Sequence, residues 1–212
     1  MIDQPKYSRL GIFGGTFDPP HIGHLILAME AYDQLHLDRV LWVLTPQPPH
    51  KLGKHIAPLE IRLQMVMASI GGDPVFELSR VDMDRPGPHF VLDTINLLHQ
   101  DYPNVELVFI MGGDSLHDLP SWHKPQEFVQ ACDYLGVMHR VGEQIDLHEL
   151  EKQIPGISTK VEFMEAPILE ISSNKIRQLI ARGKPYRYYL IPSVYEIIKN
   201  AKLYCEDDYD ED

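Results

Sequence analysis

Apolar positions along the chain fall into two kinds of segment that take turns. Short, nearly continuous apolar runs occupy residues 9–13, 40–44, 75–78, 105–110 and 134–138, the signature of strands buried on both faces. Between them lie longer stretches, 22–35, 58–70, 91–100 and 125–131, whose apolar residues recur three and four positions apart, the period of a helix with one face in a core. The alternation predicts an α/β fold with a parallel sheet covered on both sides. Ligands of such sheets sit beyond the carboxyl ends of the strands, near the switch in strand order. Residues 160–164 read as a last strand, and 168–171 lead into a helix starting at Ser172 or Ser173, both good caps. Pro192 suits the first turn of a further helix over 193–201, which gives the fold a C-terminal helical extension.

Composition refines this picture modestly. A chain of 212 residues with 44% hydrophobic content can bury a good core, and no linker-like stretch divides it, so residues 1–205 read as one domain. The formal charge of −12 is uneven, because residues 206–212 alone carry six acidic side chains. That block reads as a disordered, solubilising tail. The remaining surface is still acidic and does not attract nucleic acid, so a polyphosphate must be held by a local site. Cys132 and Cys205 match no metal or redox spacing. No apolar run approaches the ~18 residues of a membrane span and no signal segment opens the chain, so a cytoplasmic protein without a membrane partner is expected.

The candidate chemistry begins where the first strand ends, at Gly11-Ile12-Phe13-Gly14-Gly15-Thr16-Phe17-Asp18-Pro19-Pro20-His21-Ile22-Gly23-His24. Gly14 and Gly15 would let the backbone turn tightly against a ligand, and the following helix start aims free N–H groups at it, which makes an anion site. His21 and His24, three apart, share one helix face and can grip the same group. Gly23 would remove a side chain where that group approaches. Asp18 reads as a turn residue ahead of Pro19. The stretch Thr45-Pro46-Gln47-Pro48-Pro49-His50-Lys51 follows the second strand and offers His50 and Lys51 from a stiff loop. After the fourth strand, Gly112, Gly113 and Asp114 suit ribose hydroxyls, and Trp122 is either a core residue or a flat face for a planar ring.

Taken together, these motifs resemble a known family. The glycine turn followed by His21-Ile22-Gly23-His24, and the later Ile171-Ser172-Ser173-Asn174-Lys175-Ile176-Arg177, are similar to the two elements that close the site of nucleotidyltransferases with the His-x-Gly-His motif. The same tetrapeptide occurs in class I aminoacyl-tRNA synthetases, but a chain of 212 residues without a Lys-Met-Ser-Lys-Ser loop leaves no room for a tRNA-reading domain. The Pro48-Pro49-His50-Lys51 loop, Arg85-Pro86-Gly87-Pro88-His89-Phe90-Val91, Gly112-Gly113-Asp114-Ser115-Leu116 and Leu119-Pro120-Ser121-Trp122 narrow the resemblance to bacterial nicotinate-nucleotide adenylyltransferases.

That resemblance implies a Rossmann-like, doubly wound sheet and adenylyl transfer from ATP to nicotinate mononucleotide. It implies a catalytic role for His21, His24 and Arg177, and contact of Gly14, Gly15, Thr16, Phe17, Lys51, Gly113, Asp114, Ser172 and Ser173 with ATP and its phosphates. Val91, Trp122 and His123 would face the pyridine nucleotide, with Mg²⁺ bridging substrate phosphates and no dedicated protein ligands. The chain departs from the family where His89-Phe90-Val91 replaces the frequent Ser-Tyr-Thr, so a threonine hydroxyl expected near the pyridine carboxylate is missing at Val91. Arg140-Val141-Gly142 replaces Arg-Pro-Gly, and Asn174 stands where threonine is frequent. A sister reaction on nicotinamide mononucleotide or phosphopantetheine, and a nucleotide sensor without turnover, are the alternatives.

Overall fold

The structure is a computed structural model that describes residues 7–48, 55–139, 145–167 and 169–205, with the His139 side chain excepted. His50, Lys51, the Arg140-Val141-Gly142 stretch and residues 206–212 therefore lie outside the described residues.

Six strands, β1 (Arg9–Gly15), β2 (Arg39–Leu44), β3 (Phe76–Ser79), β4 (Glu106–Gly112), β5 (Tyr134–His139) and β6 (Val161–Glu165), form one sheet in the order 3-2-1-4-5-6. Every pairing is parallel. The order reverses between β1 and β4, so the carboxyl ends of these two strands open the crevice where such sheets bind ligands.

Strand parity sorts the core into two layers. Leu10 and Ile12 of β1, Leu41 and Val43 of β2, and Leu107, Phe109 and Met111 of β4 face one side, where they meet Ile95 and Leu98 of α3 (Val91–Asp101) and Phe128 of α5 (Pro125–Ala131). Phe13, Val40, Trp42, Leu44, Val108 and Ile110 face the other side, toward Ala28 and Ala31 of α1 (Ile22–Gln34) and Val66 of α2 (Leu59–Ile70). This is the two-sided burial that the continuous apolar runs predict. A third cluster joins Met65 of α2 to Ile176 of α7 (Ser173–Ala181), Val194 and Ile198 of α8 (Pro192–Asn200), and Tyr204. The C-terminal extension thus packs behind the first loop of the sheet.

Three features differ from the sequence reading. Strand β1 runs on through both glycines, pairing Gly14 with Val43 and Gly15 with Leu44, so neither glycine makes the turn. Two short helices, α4 (Gly113–Asp118) and α6 (Leu147–Gln153), lie in stretches that carry too few apolar residues to show a period. The second had a readable start, since Asp146 accepts a hydrogen bond from the Glu149 N–H at 3.0 Å in an acidic cap followed three residues later by Glu.

Candidate active site

The turn after β1 is made by Phe17, whose φ of 48° is left-handed. Its ring folds back over the strand end, centroid 4.8 Å from Trp42 and 5.6 Å from Phe13. A Cβ at Gly15 would stand 2.9 Å from that ring, so Gly15 is needed for the room it leaves to Phe17. The aromatic block is a floor for His24, which meets Phe17 edge-on at 5.2 Å.

His21 is the N-cap of α1 and His24 its third residue. The His21 N–H donates to Nδ1 of His24 at 3.1 Å. That bond orients the imidazole and leaves the ring proton of neutral His24 on Nε2, as a donor. The capping role and a phosphate-binding role are therefore compatible: one ring nitrogen satisfies the helix end, and the other is of donor type. The two rings stack, with centroids 3.6 Å apart and planes at 19°. His21 is 7% exposed and its Nδ1 is buried without a partner among the described residues. Burial pulls its pKa down to about 4, so at neutral pH this imidazole is uncharged. Gly23 has a reason the sequence did not reveal. A Cβ there would come within 3.1 Å of His21 Nδ1, so the glycine admits the His21 ring itself.

The second element arrives from α7. Ser172 caps this helix by accepting the Lys175 N–H at 3.1 Å, and Ser173 Oγ donates to the Pro19 carbonyl at 2.8 Å. Arg177 donates from Nη1 to the Asp18 carbonyl at 2.8 Å and from Nη2 to Asn174 Oδ1 at 3.3 Å. These bonds bridge more than 150 residues of chain and draw both motifs around one cleft of about 400 Å³. His21, Gly23, His24, Asp114, Ser172 and Ser173 supply its polar wall, while Ile26, Met138 and Ile171 are among its apolar lining.

The remaining expected residues sit around rather than in this cleft. Gly14 is interior to β1, Gly113 opens α4, and Thr16 is 8% exposed. Trp122 is half-buried against Phe109 and Phe128, with centroids at 6.2 and 5.6 Å, and its backbone N–H donates to the Leu119 carbonyl. The packing on Phe109 and Phe128 is what the core reading of Trp122 expects. His123 is exposed and stacks on Phe90 at 3.9 Å, and Val91 is the first residue of α3. These three form a separate cluster beyond the carboxyl end of β4.

A model of the cytidylyltransferase-like family matches residues 12–179, which include both motifs. A protein of Thermomicrobium roseum named "Probable nicotinate-nucleotide adenylyltransferase" is 44% identical over 93% of this chain and 92% of its own length. One of the same name from Roseiflexus sp. is 40% identical over 92% and 97%. The chain belongs to the nicotinate-nucleotide adenylyltransferases. Its fold agrees with a Plasmodium falciparum nicotinic acid mononucleotide adenylyltransferase solved with NaAD, at a TM-score of 0.77 and 19% identity, covering 93% of this chain and 98% of that one.

Within this member of the family, three groups that sequence reasoning passed over shape the site. Arg62 of α2 is 2% exposed and donates to four carbonyls, those of Ala57, Thr16, Thr45 and Pro46, at 2.7–2.9 Å. It clamps the ends of β1 and β2 to each other. Its signal was a charge on an otherwise apolar helix face. Asp82, 2% exposed, gathers Thr45, Arg85 and Thr94, the last at 2.7 Å, and so ties the loop before α3 to the end of β2. Asp18 is no local turn former: it is 3% exposed, and its Oδ1 accepts the Ala57 N–H and the Tyr204 hydroxyl. Neither the Asp82 nor the Asp18 network has a sequence period, because its members come from separate loops.

Proposed function

We propose that the chain transfers the adenylyl group of ATP to nicotinate mononucleotide, giving nicotinate adenine dinucleotide and pyrophosphate, a step of NAD biosynthesis. The acceptor phosphate oxygen bonds to the α-phosphorus as the bond from that phosphorus to the bridging oxygen of pyrophosphate breaks. The acceptor is already an anion at neutral pH, so no general base is required and catalysis rests on alignment and charge stabilisation. The observation that carries this reading is His24, held through Nδ1 so that Nε2 is a donor, beside the serines of α7 across one cleft.

In this reading His24 donates to the α-phosphate oxygens as charge grows on them. His21, kept neutral by burial, supports His24 through the ring stack. Ser172, Ser173, Arg177 and the N-terminus of α7 hold the triphosphate. Thr16 and Phe17 shape the edge where the acceptor phosphate enters, and Asp114 takes ribose hydroxyls. Val91, Trp122 and His123 take the nicotinate ring, with Trp122 stacking on it.

Mg²⁺ brought in with ATP would supply positive charge against the phosphates, and Asp114 is the cleft residue that would hold it through water. The single carboxylate among the described residues lining the cleft, Asp114, suits an ion carried on substrate phosphates and water rather than in a protein cage.

Pyrophosphate release with ATP and Mg²⁺, offered nicotinate mononucleotide, nicotinamide mononucleotide or phosphopantetheine in parallel, tests the proposal. Preference for nicotinate mononucleotide is expected. Preference for the nicotinamide form would trace to Val91, where a hydroxyl for the carboxylate is lacking. His24→Ala should lower turnover by at least about 100-fold while the protein stays folded by circular dichroism.

A further inference from the structure

The loop that carries the histidine motif is held from behind by the end of the chain. Asp18 Oδ1 accepts the Tyr204 hydroxyl at 2.6 Å, and both residues are buried, at 3% and 1% exposure. The same residue meets α7 from its other side: Arg177 Nη1 donates to the Asp18 carbonyl at 2.8 Å and lies 3.9 Å from Asp18 Oδ2. One residue on, the Pro19 carbonyl accepts from Ser173 Oγ at 2.8 Å. Two side chains of the ATP side of the cleft are therefore aligned on consecutive carbonyls, and the side chain that fixes those carbonyls is fixed by Tyr204.

The bond is one-directional. Burial and the Asp18 charge push the Tyr204 hydroxyl far above its ordinary pKa, so it is a permanent donor. A buried carboxylate that loses a donor reorients or admits water, and its backbone moves with it.

We propose that Tyr204 is a positioning residue for ATP, acting through Asp18 on the carbonyls against which Arg177 and Ser173 are set. This rests on the reading that Arg177 and Ser173 hold the triphosphate.

Calorimetric titration of ATP without acceptor, and separately of nicotinate mononucleotide, tests it in the full chain. Tyr204→Phe, which removes one oxygen, should weaken ATP about tenfold and leave the mononucleotide within about twofold. Asp18→Ala, which removes the acceptor that Asn would keep, should shift ATP in the same direction, and the double variant should be no weaker than the weaker single one, because both break one chain of contacts. Tyr195→Phe, a hydroxyl from α8 outside this chain, should change neither affinity. Wild-type ATP affinity in folded Tyr204→Phe overturns the proposal, and so does an equal loss for both ligands, which would mean general loosening. If Tyr204→Phe does not fold, Asp18→Ala decides by the same comparison. ATP binding without pyrophosphate release from any acceptor would sink the proposed reaction and leave this inference standing. A wild-type chain that binds no ATP would overturn both.

Discussion

Single residues in this site work by occupying or vacating a few ångströms. Gly23 makes the point, since a methyl group there would stand 3.1 Å from His21 Nδ1 and 3.8 Å from Ile171 Cβ. Gly23→Ala should push the His21 ring off its stack with His24 and lower turnover by about tenfold or more, with a smaller effect on melting temperature; wild-type kinetics would show that the ring has room to yield. The sequence exposed the pair of histidines and the glycine between them, but not that this glycine of the cleft wall also makes room for the His21 ring. Contact across one helical turn is set by rotamers, which a spacing rule does not contain. His21 also makes a pH prediction. With its folded pKa lowered to about 4, the native state keeps it neutral where the unfolded chain protonates it, below an ordinary value near 6.5. The unfolded state therefore binds more protons in that window, and stability falls as pH drops through it. His21→Gln should remove this loss. Urea unfolding of the two proteins should give a difference that is flat above pH ~6.5 and that grows against the wild type, by up to roughly 3 kcal/mol, toward pH 4.

At the scale of elements, what was legible and what was not divide by length and by locality. Strands and most helices announced themselves through period and composition, the seven-residue α5 included, whereas α4 offers Leu116 and α6 only Leu147 and Leu150 as apolar residues, too few for a face to repeat. Strand β1 outruns the end that its two glycines suggest: the ladder to β2 continues to Gly15–Leu44 and the turn falls at Phe17. Helix α2 shows how an element can carry a site without lining it. Its Arg62 satisfies carbonyls from the ends of β1 and β2 and from the 55–57 segment, so three pieces of irregular backbone are held without water. Burial alone lowers the pKa of this guanidinium, and the Asp18 charge works against that shift. Arg62→Met keeps most of the volume but removes every donor. It should destabilise the fold by about 3 kcal/mol or more in urea unfolding, because each buried carbonyl left unpaired costs ~1–3 kcal/mol. A change below 1 kcal/mol would mean that water replaces the guanidinium.

Over the whole molecule the site is an agreement among distant segments. The glycine–histidine motif and the serine–arginine motif could be recognised as partners from the sequence, yet what joins them physically is backbone. Carbonyls 18 and 19 take bonds from α7, and Asp18 takes one from residue 204. Carbonyl partners leave no trace in residue type, which is why this part of the assembly was illegible. The acidic excess has a separate address. Six of the formal −12 charges lie in residues 206–212. The two properties of the chain's end, charge and attachment, should then separate when it is shortened. A chain ending at Cys205 keeps Tyr204 and should retain ATP affinity and melting temperature within experimental scatter. A chain ending at Lys202 also loses Leu203 and Tyr204 from the cluster with Ile176, Val194 and Ile198. Removing a buried aromatic of this kind costs about 3–5 kcal/mol, so that chain should melt many degrees lower and bind ATP weakly even where it remains folded. If the two truncations behaved alike, the end of the chain would act through its charge, and the link from Tyr204 to Asp18 would have no part in holding the site.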